Sequence, residues 1–261
     1  MRVLIVGVGS RGDVAPYVGL GQRLQRAGCQ VAIATHSAFT DMVRDVGLEW
    51  RALSGDTRSL IRARMQPGSE AVRRRAVINF VSGIGDDLVH AAALGTDVIL
   101  TCLGQAPLSC LVAAAFGVPS MGAYLVPSVP TAEFPLPGST QAGDDMSRMD
   151  NRAAGQRVLA QARTIYADVL PRLSRRLGLP RDACEIVWDQ WLGYSGWPIS
   201  HGYSSAIVPR PADWPDNVEV VGYWWPALSP NWEPRQELTE FLAAGSPPVF
   251  VGFGSMGVGL G

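Results

Sequence analysis

The chain has 261 residues, 47% of them hydrophobic and 17% charged, so a sizeable core can be buried. A formal charge of −1 excludes long-range attraction to a polyanion, and no nucleic-acid partner is expected. All 22 basic residues are Arg, a compositional bias that carries no chemistry by itself.

Val3 to Val6 is an unbroken apolar run, the signature of a strand buried on both faces of a parallel sheet. It ends in a Gly-rich turn, Gly7-Val-Gly-Ser-Arg-Gly-Asp13, and a helix is predicted from about Pro16 to Ala27. Gln30 to Thr35 supplies a second strand, Thr40 to Val46 a short helix and Leu48 to Leu53 a third strand. Residues 56–95 read as mostly helical, interrupted around Gln66-Pro-Gly-Ser69. Strands at 97–103 and 118–124 flank a helix from Ala106 to Phe116. This βαβα alternation predicts an α/β fold, a doubly wound, Rossmann-like parallel sheet with right-handed crossovers. Val126 to Asp150 is a Pro- and Gly-rich segment too long for a simple connector, the kind of loop that serves as a binding lid. A long amphipathic helix is predicted over 151–177, and the last short strands at 206–208 and 218–221. A Pro-punctuated linker, a helix at 235–244 and an apolar strand at 249–251 with Phe253 follow.

Cys29, Cys102, Cys110 and Cys184 form no C-x-x-C pair and show no zinc-ligand spacing with His36, His90 or His201. No metal is therefore expected, and reduced thiols in a cytoplasmic protein are. Met1 leads directly into the first strand, so no secretory leader is expected, and no apolar run has transmembrane length.

Gly7-x-Gly9-x-x-Gly12 matches the dinucleotide fingerprint in form, bringing backbone N–H groups toward an anion. Two features count against NAD. The second strand ends in Ala34-Thr35-His36 with no acid for a ribose, and Asp13 would repel a pyrophosphate on the helix end. Asp13 follows the first strand on the side where doubly wound folds bind ligands, and could accept a proton from a hydroxyl. An N-cap role accounts for the same aspartate equally well.

Gly9-Ser-Arg-Gly-Asp-Val-Ala-Pro-Tyr-Val-Gly-Leu20, with Ala27 to His36 behind it, resembles the opening of a bacterial GT-B glycosyltransferase. The similarity is to the group that contains glycopeptide-antibiotic, macrolide and sterol glycosyltransferases. Pro248 to Met256 resembles the first strand of that family's second, donor-binding domain. The resemblance implies an inverting transfer of a hexose from a nucleotide sugar, UDP- or dTDP-linked, to a hydroxyl of a hydrophobic acceptor. It needs no other cofactor. It implies Asp13 as the base, with Ser10, Arg11 and Gly12 turned toward the donor and Gly254 and Ser255 near its phosphates. It also implies three parts: an acceptor-binding domain at 1–221, a linker and helix at 222–246, and the start of a donor-binding domain at 247–261. The family's His- and Gly-rich donor signature is absent, so this chain alone is expected to be inactive.

Phe134 and Leu136, apolar residues in an otherwise polar loop, are the acceptor contacts expected from the residues, with His36 as a neighbouring group. Arg62, Arg64 and Arg73 to Arg75 form a basic cluster, read as a solvated helix face with anionic lipid contact as its alternative. Seven of the eight tryptophans follow residue 187 and are expected to pack the linker onto the domain rather than stack on a ligand. His90 and His201 have no evident Ser or Asp partner, which leaves a hydrolase triad unsupported. A non-catalytic module binding hydrophobic small molecules, and a dinucleotide-dependent oxidoreductase domain, are the alternative readings.

Overall fold

A computed structural model describes residues 1–55, 70–139, 148–191, 195–227 and 232–252. Seven parallel strands form one sheet: β1 (Arg2–Val6), β2 (Gln30–His36), β3 (Glu49–Leu53), β4 (Val98–Thr101), β5 (Ser120–Tyr124), β6 (Ile199–His201) and β7 (Val218–Val220). Their order is β3-β2-β1-β4-β5-β6-β7, all parallel. The helices are α1 (Arg11–Arg26), α2 (Thr40–Arg44), α3 (Glu70–Ala93), α4 (Ala106–Phe116), α5 (Arg148–Tyr166), α6 (Val169–Arg176), α7 (Ala183–Trp191) and α8 (Gln236–Ala243).

Side chains alternate across β1, so both of its faces must be covered. Leu4 and Val6 pack with Ile84, Leu88, Leu108 and Leu111 from α3 and α4. Val3 and Ile5 pack on the other face with Tyr17, Val18 and Trp224. The chain thus winds over opposite faces on the two sides of the β1–β4 pair, and a crevice opens beyond their carboxyl ends.

Several elements differ from expectation for identifiable reasons. Helix α1 starts at Arg11, before Pro16, because Ser10 and Asp13 cap it there; Pro16 lies inside it and removes one ladder bond. The single helix predicted over 151–177 is two helices. In a continuous helix Pro171 could not donate to the carbonyl of Ala167 and its ring would clash there, so the chain breaks at 167–168. The sixth strand is Ile199–His201 rather than 206–208. Ile199 and His201 are buried together on one sheet face, with Ser200 half-buried on the other, whereas Ile207 is 71% exposed in a turn in which its own N–H and that of Val208 donate to Ser204. Helix α7 is an addition, its apolar positions 183, 187, 188 and 191 falling on one face.

The expected strand at 249–251 pairs with no strand of this sheet, and Val249 and Phe250 are 90% and 92% exposed. A strand exists only through a neighbouring ladder, and no edge here receives it. Phe253, Gly254 and Ser255 lie outside the described residues, as do Arg62, Arg64 and the side chain of Arg73.

Of the linker tryptophans one packs onto the domain, while Trp225 and Trp232 are 69% and 58% exposed. Trp224 is buried, its ring 6.1 Å from that of Tyr17. The linker backbone crosses α1 so closely that a Cβ on Gly19 would meet the Trp224 carbonyl oxygen at 2.4 Å. Gln22 Oε1 accepts from the Ala227 amide at 2.9 Å. Trp224→Ala is expected to lower unfolding free energy by about 3–5 kcal/mol, read from urea denaturation.

Candidate active site

The crevice edge is built from the loops that leave β1, β4 and β5. After β1 the backbone turns at Gly9, with φ +148°, and enters α1 through Ser10. Asp13 reaches back over that turn. Its Oδ2 accepts from the Ser10 amide at 2.6 Å and from Ser10 Oγ at 2.9 Å. Asp13 is therefore the third residue of the helix rather than its N-cap, which is Ser10. Both recorded bonds fall on one oxygen of an exposed carboxylate, and Oδ1 accepts no hydrogen bond among the described residues. Such a carboxylate is held in orientation while keeping a free lone-pair face.

Glycines here have unequal duties. A Cβ on Gly9 would lie 2.3 Å from Asp13 Oδ2, whereas one on Gly12 would meet nothing nearer than Ser10 Oγ at 3.7 Å. The third glycine of the fingerprint is therefore not held by close packing. Arg11 and Gly12 are exposed at the helix start, with Ser10 half-buried beside them.

Tyr17 lies one turn below Asp13 and donates its hydroxyl to the Ala123 carbonyl at 2.7 Å, tying α1 to β5. Burial pushes its phenol well above the ordinary range, with the Cys102 and Tyr124 side chains and the Asp13 carboxylate adding to the shift. Burial likewise pushes the Cys102 thiol up to about 11, so it is a neutral thiol at the head of the β4 loop. That loop, Leu103–Gln105, is anchored from beneath: Trp191 Nε1 donates to Leu103 O at 3.3 Å, and the Tyr166 hydroxyl donates to Gly104 O. The Gln105 amide oxygen is buried there without a partner among the described residues.

The loop after β5 is fastened rather than loose. Asp213 accepts from Thr131 Oγ1 at 2.6 Å, from the Ala132 amide at 2.9 Å and from Arg152 Nη2 at 2.5 Å. Trp214 Nε1 donates to Val129 O at 2.9 Å, and its ring meets Phe134 edge-on at 6.4 Å. Phe134 keeps part of its surface exposed. Leu136 is buried, lying within 3.2 Å of where a Cβ on Gly155 would sit. His36 is also buried, beside Phe80, with Nδ1 3.4 Å from Leu53 O. The side chains of Leu136 and His36 are therefore engaged in the protein's own packing.

His201 has a partner that the sequence did not reveal. Its Nε2 lies 3.0 Å from Ser128 Oγ, and its Nδ1 3.2 Å from the Glu219 carbonyl. A carbonyl can only accept, so Nδ1 carries the proton and Nε2 accepts from Ser128. Among the described residues no carboxylate completes a triad, and both side chains are buried, which makes this pair a brace for the loop. Among the described residues no group of three His, Cys, Asp or Glu could hold a metal, and no helix is long and apolar enough to cross a membrane.

The comparisons with known proteins place this architecture. Residues 3–97 match the glycosyltransferase family 28 N-terminal domain. The chain is 30% identical to a sterol 3-beta-glucosyltransferase of Arabidopsis thaliana over 98% of its own length and 43% of that protein's. It is 31% identical to the O-mycaminosyltylonolide 6-deoxyallosyltransferase of Streptomyces fradiae, over 98% of this chain and 61% of that one. The calicheamicin glycosyltransferase CalG4 shares its fold with a TM-score of 0.60 at 19% identity, over 90% of this chain and 55% of that chain. The chain thus spans less than two thirds of the length of these relatives.

Two consequences are measurable. Gly9→Ala is expected to destabilise the fold, while Gly12→Ala, inside a helix with open space, is neutral or stabilising by up to about 1 kcal/mol in denaturant titration. Burial depresses the His201 pKa to about 4, below its ordinary 6.5. The unfolded state then binds the extra proton between those values, so stability is full above about pH 6.5 and falls as pH drops toward 4. The loss is about 3 kcal/mol. Melting curves across that range are expected to show the decline in the wild type and a shallower one in His201→Gln.

Over residues 3–97 the chain is similar to the glycosyltransferase family 28 N-terminal domain, and its parallel sheet has the Rossmann-like fold found in its GT-B structural neighbours.

Proposed function

We propose that this chain supplies the acceptor-binding half of an inverting, nucleotide-sugar-dependent glycosyltransferase. The observation that carries the reading is the Asp13 carboxylate at the crevice, clamped by Ser10 through one oxygen and open at the other. Asp13 takes the proton from an acceptor hydroxyl as that oxygen attacks the anomeric carbon and the nucleoside diphosphate departs. The clamp fixes the direction of the open lone pairs, so positioning supplies much of the catalysis. Ser10, Arg11 and Gly12, at a helix start with outward N–H groups and a guanidinium, face the anionic end of the donor. Phe134 offers the acceptor an apolar surface, with Leu136 packed in the same loop and His36 at the end of β2 contributing from within the packing.

The acceptor is a hydrophobic hydroxylated molecule of the sterol or macrolide kind, a reading supported by the names of the relatives. Residues 1–221 form the acceptor domain, 222–246 the linker and helix, and 247–261 the entry to a donor domain that holds a UDP- or dTDP-hexose near Gly254 and Ser255. Residues 1–261 alone are accordingly expected to give no transfer above background with any common nucleotide sugar.

The decisive test is Asp13→Asn in a form that also carries a donor-binding domain. Asn keeps an oxygen for the Ser10 bonds but cannot accept the proton. The expected result is a fall in kcat of about a thousandfold with acceptor KM little changed. Near-wild-type turnover in this variant would remove Asp13 as the base.

A further inference from the structure

A cavity of about 470 Å³ lies at the amino-terminal end of the strands, whereas Asp13 lies beyond their carboxyl end. It opens between the last turns of α4, helix α7 and the amino end of β5, where Ser120 begins the strand. Ala113, Ala114, Ile186, Val187 and Trp197 form most of its wall. The polar atoms of its inner wall are already matched: Trp197 Nε1 donates to Ser120 Oγ at 3.1 Å, and that hydroxyl donates to Cys110 Sγ at 3.8 Å. A wall of this kind recruits no water by hydrogen bonding.

The mouth has a different chemistry. Asp182, exposed at the start of α7, and Gln190, half-buried near its end, line it, and neither side chain has a partner among the described residues. Ile186 stands between them in sequence, 51% exposed, an apolar surface turned to water at the rim. Volume and lining both fall in the range of small-molecule sites, roughly 300–1,000 Å³ with a few polar groups that orient the ligand.

We infer that this cavity binds a small, uncharged ring compound whose apolar body rests against Ile186 and Trp197 and whose single N–H or O–H donor meets Asp182 or Gln190. An anionic ligand of equal size is disfavoured by the Asp182 carboxylate. The site shares no residue with the Asp13 crevice and does not depend on the transfer reaction.

The test uses N-phenyl-1-naphthylamine, a neutral probe with one N–H donor that fluoresces in apolar surroundings. The chain is expected to bind it saturably at one site. Ala114 is exposed on α4, so Ala114→Trp can fill the mouth without entering the core; it is expected to weaken binding at least about tenfold. Phe134→Ala, in the loop beyond the carboxyl end of β5, is expected to leave the binding that Ala114→Trp weakens unchanged. The sulfonated analogue 8-anilinonaphthalene-1-sulfonate is expected to bind more weakly than the neutral probe, and Asp182→Asn to narrow that gap. Absence of saturable binding, unchanged affinity in a folded Ala114→Trp variant, or loss in Phe134→Ala instead would each overturn the assignment.

Discussion

Strand β1 is apolar on both faces, and that constraint organises the molecule. A strand with Val3 and Ile5 on one side and Leu4 and Val6 on the other must be covered twice. The chain meets the demand by sending α1 over one face and α3 and α4 over the other. A reversal of winding follows beside β1, and the loops after β1 and β4 separate above it. The crevice is thus a geometric by-product of burying four aliphatic residues. Chemistry enters only through what the two loops place there.

The loop after β1 shows how a helix cap becomes a candidate catalytic feature. An acid in the first turn is favoured because it answers the orphan N–H groups and the helix dipole. Asp13 satisfies that demand with one oxygen, aided by a glycine at position 9 that leaves room for the carboxylate. The cap and base readings, which compete in the sequence, are compatible in the structure. The same bonds that start the helix aim the side chain.

The walls are stiffened by hydrogen bonds from distant segments. Asp213, Trp214 and His201 all come from the last part of the sheet, yet each fastens the loop after β5. Tyr166 and Trp191 do the same for the loop after β4. A wall held in this way needs little ordering when a ligand arrives, and that lowers the entropic cost of binding.

Local pattern in the chain was sufficient for the strands around β1, the helix at 106–116 and the position of Asp13 just beyond the carboxyl end of β1, because each rests on neighbours a few residues apart. The resemblance to glycosyltransferases was likewise carried by a contiguous turn, residues 9–20. What the chain could not disclose were the pairings of residues far apart in sequence. Ser128 meets His201 across 73 positions and Thr131 meets Asp213 across 82, and no periodicity encodes such contacts. The sixth strand fell at 199–201 rather than 206–208 because burial of Ile199 and His201 beneath the assembled layers outweighed local apolar content. Tertiary structure alone decided that Leu136 and His36 point into packing while Phe134 keeps a free face. Which side of a loop residue meets the core depends on what the rest of the chain has already covered.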